Sequence, residues 1–406
     1  MPADTPFGPG NPRPYLDPSG LDPRTLAVRG GQSRSTFDET AEGMFLTSGF
    51  VYGSAEEAEA AFAGGLSKFV YSRYGNPTVA MFEERLRVLE GAQACYATAS
   101  GMGAVFTALA ALVGAGDRLV ASRGLFGSCF VIVDEILPRW GVETVFVDGP
   151  DLEQWREALS VPTAAVFFET PSNPMQELVD IAAVSELAHA AGAQVVVDNV
   201  FGTPIFSRPL EHGADIVVYS ATKHIDGQGR VLGGAILGPE DYIAGPVENL
   251  VRHTGPSLSP FNAWVLLKGL ETMDLRVRAM ADSALTVARF LQDHPRVVST
   301  FYPWLPSHPQ HELAQAQMSG GGTVVTFAID GGKAEAFAVM NALRLVDISN
   351  NLGDSKSLIT HPATTTHRRL GEEARAAIGI TDGTLRISVG LESATDLVDD
   401  LRSALG

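Results

Sequence analysis

Residues 216–224 read Ile216-Val217-Val218-Tyr219-Ser220-Ala221-Thr222-Lys223-His224. The first four form an unbroken apolar run, the pattern of a strand buried on both faces. A lysine just beyond such a strand lies at the edge of an α/β core, where ligands bind in open sheets. A partly desolvated lysine gives up its proton more readily and becomes a nucleophile. A surface lysine in a strand-to-loop turn has the same local sequence, so the meaning of Lys223 depends on its surroundings.

Working outward, strands and helices alternate from about residue 92 to 240. Strands are expected over 118–122, 144–148, 164–169, 194–198, 216–220 and 233–237, with helical patterns between them. Most of these strands are continuous apolar runs, which predicts a mostly parallel sheet covered on both faces. One long helical stretch, 260–292, leads into a different region. There, strands over 323–329 and 384–389 mix with helices over 334–343 and 394–405, which predicts a smaller α+β domain. Ahead of the alternating part, residues 21–75 hold one short helical pattern, 55–62, in an otherwise irregular segment. So long an irregular stretch fits an arm packed on a neighbouring subunit. The Asn76-Pro77 pair marks a turn, with a helix expected over 79–90. The implied division is an arm to residue 75, a large domain over 76–265 and a small domain over 266–406.

Composition narrows the class. A chain of 406 residues exceeds what one core usually holds. Its net charge of −18 argues against nucleic-acid and anionic-membrane partners. Two cysteines, Cys95 and Cys129, are too few for a disulfide framework and suit a cytoplasmic protein. No run of 18 apolar residues suggests a membrane span. The first 20 residues, rich in proline and glycine, lack the apolar core of a signal peptide and read as a flexible leader.

Four further features give Lys223 a context. Ser100-Gly101-Met102-Gly103 precedes an apolar helix, and its free backbone N–H groups and helix dipole suit a phosphate. An ordinary serine cap fits the same residues. Asp198 closes a buried strand, where a carboxylate calls for a cationic partner such as a protonated pyridine nitrogen, or serves as a helix cap. Glu169-Thr170-Pro171-Ser172-Asn173-Pro174 follows another buried strand. It reads as a rigid turn in which Asn173 can donate to a ligand oxygen. Arg386, inside an apolar strand, calls for a carboxylate, either of a substrate or of a structural salt bridge. The pairs His308/His311 and His361/His367 lack cysteine or acidic companions, so no metal is expected and they are assigned to the surface or to loops. Taken together, an amine, a phosphate cradle, an anion for a ring nitrogen and a carboxylate clamp are the requirements of pyridoxal phosphate acting on an amino acid.

The motifs YSRYGNPT, ASGMGA, ETPSNP, VVVDNVF, YSATKH and LRISVGLE, spread from residue 71 to 392, resemble the cysteine/methionine-metabolism branch of the pyridoxal-phosphate enzymes. The resemblance implies the aspartate-aminotransferase fold, fold type I. It implies that Lys223 carries pyridoxal 5'-phosphate, that Asp198 faces the ring nitrogen and that Arg386 holds the substrate carboxylate. Ser100, Gly101, Met102, Ser220 and Thr222 would surround the phosphate, with Phe126 stacked on the ring. Tyr71 and Arg73 would reach the cofactor from a neighbouring subunit of a homotetramer, with Tyr71 a candidate acid. Asn173 and Asn351 would contact substrate. Residues 224–230 and 351–358 resemble the sulfhydrylases that use O-succinylhomoserine. The activity so implied is replacement of succinate by sulfide, giving homocysteine for methionine biosynthesis. An acetyl ester, cysteine as the nucleophile, and γ-elimination are the alternatives. Most relatives carry a tyrosine where Phe126 stands, which shifts proton transfer onto Tyr71 and Lys223. Cys129 is expected to face away and pack.

Overall fold

The computed structural model describes residues 17–406, so residues 1–16 of the leader expected over 1–20 lie outside the described residues. The large sheet has seven strands in the order β1-β7-β6-β5-β4-β2-β3. They are β1 (Ala94–Thr98), β2 (Arg118–Ser122), β3 (Glu143–Val147), β4 (Ala165–Glu169), β5 (Gln194–Asp198), β6 (Ile216–Ser220) and β7 (Gly234–Gly238). From β3 to β6 all neighbours are parallel, while β7 runs antiparallel to both β6 and β1. The fold is the mostly parallel α/β sheet that the apolar runs predict, with boundaries moved by a residue in β3, β4 and β7. Strand β1 is a departure from that reading. Its sequence, Ala-Cys-Tyr-Ala-Thr, is no apolar run, and only its last two residues are buried.

Alternation along each strand sends side chains to two cores. Phe167, Val196, Val218 and Ile236 pack on one face with Ala104, Ala108 and Leu109 of the helix Gly101–Ala110. On the opposite face, Val166, Phe168, Val195 and Val197 pack with Trp155 and Val184, while Val217 and Tyr219 meet Phe82, Leu86 and Leu267. Each such buried side chain is worth about 1.5–3 kcal/mol. Sharing a sheet between two helical layers therefore places the strand ends, not the faces, at the disposal of a ligand.

The second sheet has the order β10-β11-β12-β9-β8, from β8 (Val297–Phe301), β9 (Val324–Ile329), β10 (Asp347–Ile348), β11 (Leu358–Thr360) and β12 (Thr384–Ser388). Val325, Phe327, Leu385 and Ile387 pack under Ala284, Val287 and Leu291 and under Leu397 and Leu401 of the last helix. The single helix expected over 260–292 is two, Pro260–Glu271 and Met273–Asp293, with Thr272 between them outside the helical region. The break sets Gly269 and Arg276 against the loop that follows Lys223. Arg276 donates to His224 O at 2.9 Å and to Gly269 O at 2.8 Å. No helix among the described residues is long and apolar enough to cross a membrane.

The irregular segment before residue 76 is pinned at its root. It contains the helix Pro23–Arg29, absent from the sequence reading, and Ala55–Phe62, present in it. Arg85, from the helix Pro77–Glu90, is fully buried and donates to Gly30 O at 2.8 Å. It also pairs with Glu42, whose other oxygen takes Lys268 Nζ at 2.9 Å. Removing Arg85 leaves the buried Glu42 with only the partly exposed Lys268 and leaves Gly30 O without its donor. Arg85→Ala should therefore lower unfolding free energy by roughly 3–5 kcal/mol, seen as a drop in the denaturant midpoint. An unchanged midpoint would show that this pair does not hold the segment.

Candidate active site

At the C-terminal ends of β4, β5 and β6 lies a cavity of about 230 Å³. Lys223 enters it from the turn after β6, which is locked by Gly227 N–H to Lys223 O at 2.7 Å and Asp226 N–H to Ala221 O at 2.9 Å. Lys223 Nζ donates to Asn351 Oδ1 at 2.5 Å. Burial, together with the charge of Arg386, lowers the lysine to about 8. A larger share of it is therefore neutral, and nucleophilic, near physiological pH.

One wall is the start of the helix Gly101–Ala110, where first-turn N–H groups lack helical acceptors. Ser100 caps it by accepting Gly103 N–H at 3.1 Å. A Cβ on Gly101 would fall 2.5 Å from Ser220 Cβ, so glycine alone lets this helix end approach the lysine turn. Ser100, Gly101, Met102, Ser220 and Thr222 all line the cavity.

The far side is acidic. Asp198 Oδ1 accepts Val200 N–H at 3.1 Å. No ion pair forms on Asp198 among the described residues, and burial raises its carboxyl to about 7. Glu169 stands opposite it in register on β4 and accepts Phe126 N–H at 2.6 Å. The Cys129 sulfur and a carboxylate oxygen of each acid lie within 4.8 Å of one another. Burial, then the nearby Glu169 and Asp198 charges, push the Cys129 thiol well above its usual range.

Arg386, from β12, closes the third side and is 1% exposed. Its Nη1 donates to Asn173 Oδ1 at 2.9 Å and its Nη2 to Asn350 O at 2.9 Å and Asn351 O at 3.2 Å. Its Nε has no partner, and no carboxylate pairs with it among the described residues. A buried guanidinium in that state calls for an outside anion.

Ten of the residues singled out in the sequence thus line one cavity: Ser100, Gly101, Met102, Phe126, Asn173, Asp198, Ser220, Thr222, Lys223 and Arg386. Asn351 reaches Lys223 without lining it. Tyr71 and Arg73 do not line it: Tyr71 is 41% exposed, and Arg73 donates to Arg252 O while lying over the Tyr71 and Tyr74 rings. Cys129 corrects the reading that it faces elsewhere, because it is packed and lines the cavity as well. Of the four histidines assigned to the surface or to loops, three prove to be loop residues but not surface ones. His308, His361 and His367 are buried, with His361 between Thr364 and Asp382 O and His367 on Asn173 O at 3.1 Å. Glu169, Asn350 and Leu352 had no assigned role. For Glu169 the signal was present, since a buried strand ending in an acid is what marked Asp198.

Comparison with known proteins follows this geometry. Residues 24–406 match the family described as Cys/Met metabolism PLP-dependent enzyme. The chain belongs to this family. A Mycobacterium tuberculosis protein named O-succinylhomoserine sulfhydrylase is 68% identical over 97% of this chain and 98% of its own. A Pseudomonas aeruginosa protein of the same name is 48% identical over 94% of each. The crystal structure of cystathionine gamma synthase from Xanthomonas oryzae superposes with a TM-score of 0.91 at 35% identity, covering 95% of this chain and 98% of that one.

The cofactor of the family is pyridoxal 5'-phosphate, and three observations show that these residues fit it: the glycine-only approach at Gly101, the unpaired, partly buried Asp198, and the orphaned Arg386 Nε. Lys223 would hold its aldehyde, the Ser100–Met102 turn with Ser220 and Thr222 its phosphate, and Asp198 its ring nitrogen. When bound, it supplies an electron-withdrawing ring that loosens the bonds at an amino acid's Cα. Because Lys223 sits near 8, covalent capture of pyridoxal phosphate by apoenzyme, fixed with borohydride, should rise in rate through about pH 8. In Arg386→Leu the midpoint should move upward. A wild-type midpoint near 10.5 would contradict the desolvated lysine.

Proposed function

We propose that this protein catalyses γ-replacement on O-succinyl-L-homoserine, with hydrogen sulfide giving L-homocysteine and succinate, in methionine biosynthesis. The carrying observation is the 68% identity, over nearly the full length of both chains, to the mycobacterial O-succinylhomoserine sulfhydrylase. The cavity supplies what the reaction requires. Arg386 and Asn173 hold the substrate's α-carboxylate. Asp198 keeps a negative charge against the ring nitrogen. Lys223 Nζ, freed when the substrate amine takes its place, removes the Cα proton and then a Cβ proton. Succinate departs from Cγ, sulfide adds at that carbon, and Lys223 returns the protons. A lysine near neutral pKa can move a proton in both directions. Phe126 offers a ring face without a hydroxyl, which leaves Tyr71 of a neighbouring subunit as the candidate acid assisting succinate's departure.

Under the same proposal, Tyr71 and Arg73 serve the cavity of a neighbouring subunit in a cytoplasmic homotetramer. Their distance from their own cavity supports this reading. So does the exposed apolar surface of their segment, where Phe37 is 87%, Leu46 68% and Val51 88% exposed. The division into an arm to residue 75, a cofactor domain over 76–265 and a small domain over 266–406 belongs to the proposal too, supported by the separate sheets.

Steady-state assays of the succinyl and acetyl esters, each with sulfide and with cysteine, should give the highest kcat/KM for the succinyl ester with sulfide. Cysteine winning by more than about tenfold would make the enzyme a cystathionine synthase instead. Arg73→Ala should bind the cofactor weakly. Mixed with Lys223→Ala, it should regain activity through hybrid assemblies, and no regain would rule out the shared site.

A further inference from the structure

The acid beside Asp198 is not used by the reaction above, yet it lies against residues of two walls of the cavity. Glu169 Oε1 accepts Phe126 N–H at 2.6 Å, the Cys129 sulfur lies within 4.8 Å of the carboxyl group, and the Asn173 amide and that thiol both act to hold its pKa down. Phe126 is the ring-stacking residue. Asn173 carries the Oδ1 that holds Arg386. One carboxyl group therefore joins the wall that faces the cofactor to the wall that faces the substrate carboxylate.

We propose that Glu169 is a positioning residue, held as a neutral acid, that fixes Phe126 and Asn173 while leaving Asp198 the one negative charge facing the cofactor ring. Two acids end neighbouring strands in register, with oxygens within 4.8 Å, and neither pairs with a lysine or arginine among the described residues. Two carboxylates so placed in an apolar niche retain a proton between them. The charged groups lining the same cavity, Lys223 and Arg386, are engaged with Asn351 and with Asn173, Asn350 and Asn351. A bound ring nitrogen would meet Asp198 and stabilise its ionised form, which leaves the proton to Glu169. Burial, followed by the Asp198 charge, raises Glu169 well above the usual carboxyl range. The amide donors and the thiol oppose that rise without offsetting it.

This inference rests on the pyridoxal-phosphate reading, which the wild-type protein tests alone: failure of wild type to bind the cofactor sinks that reading first. Given binding, Glu169→Gln exchanges one neutral group for another. It should hold pyridoxal phosphate within roughly threefold of the wild-type Kd, and the pH at which the bound cofactor's absorbance changes should stay in place. Glu169→Ala releases Phe126 and Asn173, so its cofactor Kd and its KM for the ester should both rise about tenfold or more. A pH profile displaced by about a unit or more in Glu169→Gln would show that Glu169 is ionised and overturn the proposal. Wild-type cofactor affinity in Glu169→Ala would overturn it equally. Should Glu169→Ala fail to fold, the Glu169→Gln profile decides.

Discussion

A buried guanidinium with no carboxylate is the constraint around which the rest of this molecule is arranged. Arg386 lies in the middle of a sheet strand, its charge balanced only by carbonyl and amide oxygens. Such a group is unfavourable until an anion arrives. Burial first, then its field, lowers Lys223, and Asn351, whose carbonyl Arg386 holds, also receives the lysine amine. On the opposite side, Asp198 is partly buried without a cation. The chain thus holds uncompensated charges of both signs at separate ends of one cavity. Under the proposed function, the missing partners are a carboxylate at one end and a protonated ring at the other. The fold keeps them apart because they come from different sheets, Asp198 from β5 and Arg386 from β12.

Much of this was legible in the sequence because each element carries its own local signal. Continuous apolar runs in β4, β5 and β6 announced a covered parallel sheet, and Asp198, Ser220 and Lys223 stood where such strands end. Ser100-Gly101 was legible as a cap, although only the structure shows why residue 101 must be glycine: the obstacle is Ser220, far off in sequence. Strand β1 escaped because it has no branched aliphatic residue and a single large side chain, Tyr96, and pairing with β7 creates it. The break at Thr272 escaped for a similar reason, since helical periodicity continues through it while the loop after Lys223 needs room there. Burial of His361 and His367 depends on tertiary partners, Asp382 and Asn173, that no spacing rule reports.

The distinction between Glu169 and Asp198 illustrates the limit more sharply. Both are acids closing buried strands, and the sequence offers no means to rank them. Position decides. Asp198 accepts one backbone amide, while Glu169 is enclosed by Phe126, Asn173 and Cys129. Under the proposal, identical chemistry at adjacent strand ends is thereby divided between a group that meets a ligand and a group that holds the walls.

The state of Cys129 bears on the hazards of the chemistry performed beside it. Polysulfides, the oxidised forms of sulfide, give up a sulfur atom to an accessible thiolate, their S–S bond breaking to leave a persulfide and a shortened sulfide chain, and attack depends on the thiolate fraction and on access. Cys129 borders the cavity, yet burial foremost, with the Asp198 charge beside it, keeps its proton in place. Cys95, the other cysteine, is likewise kept protonated, by burial foremost. A catalyst that admits a reactive sulfur nucleophile therefore carries no ready thiolate of its own, and is protected from self-modification by the same low dielectric that activates its lysine.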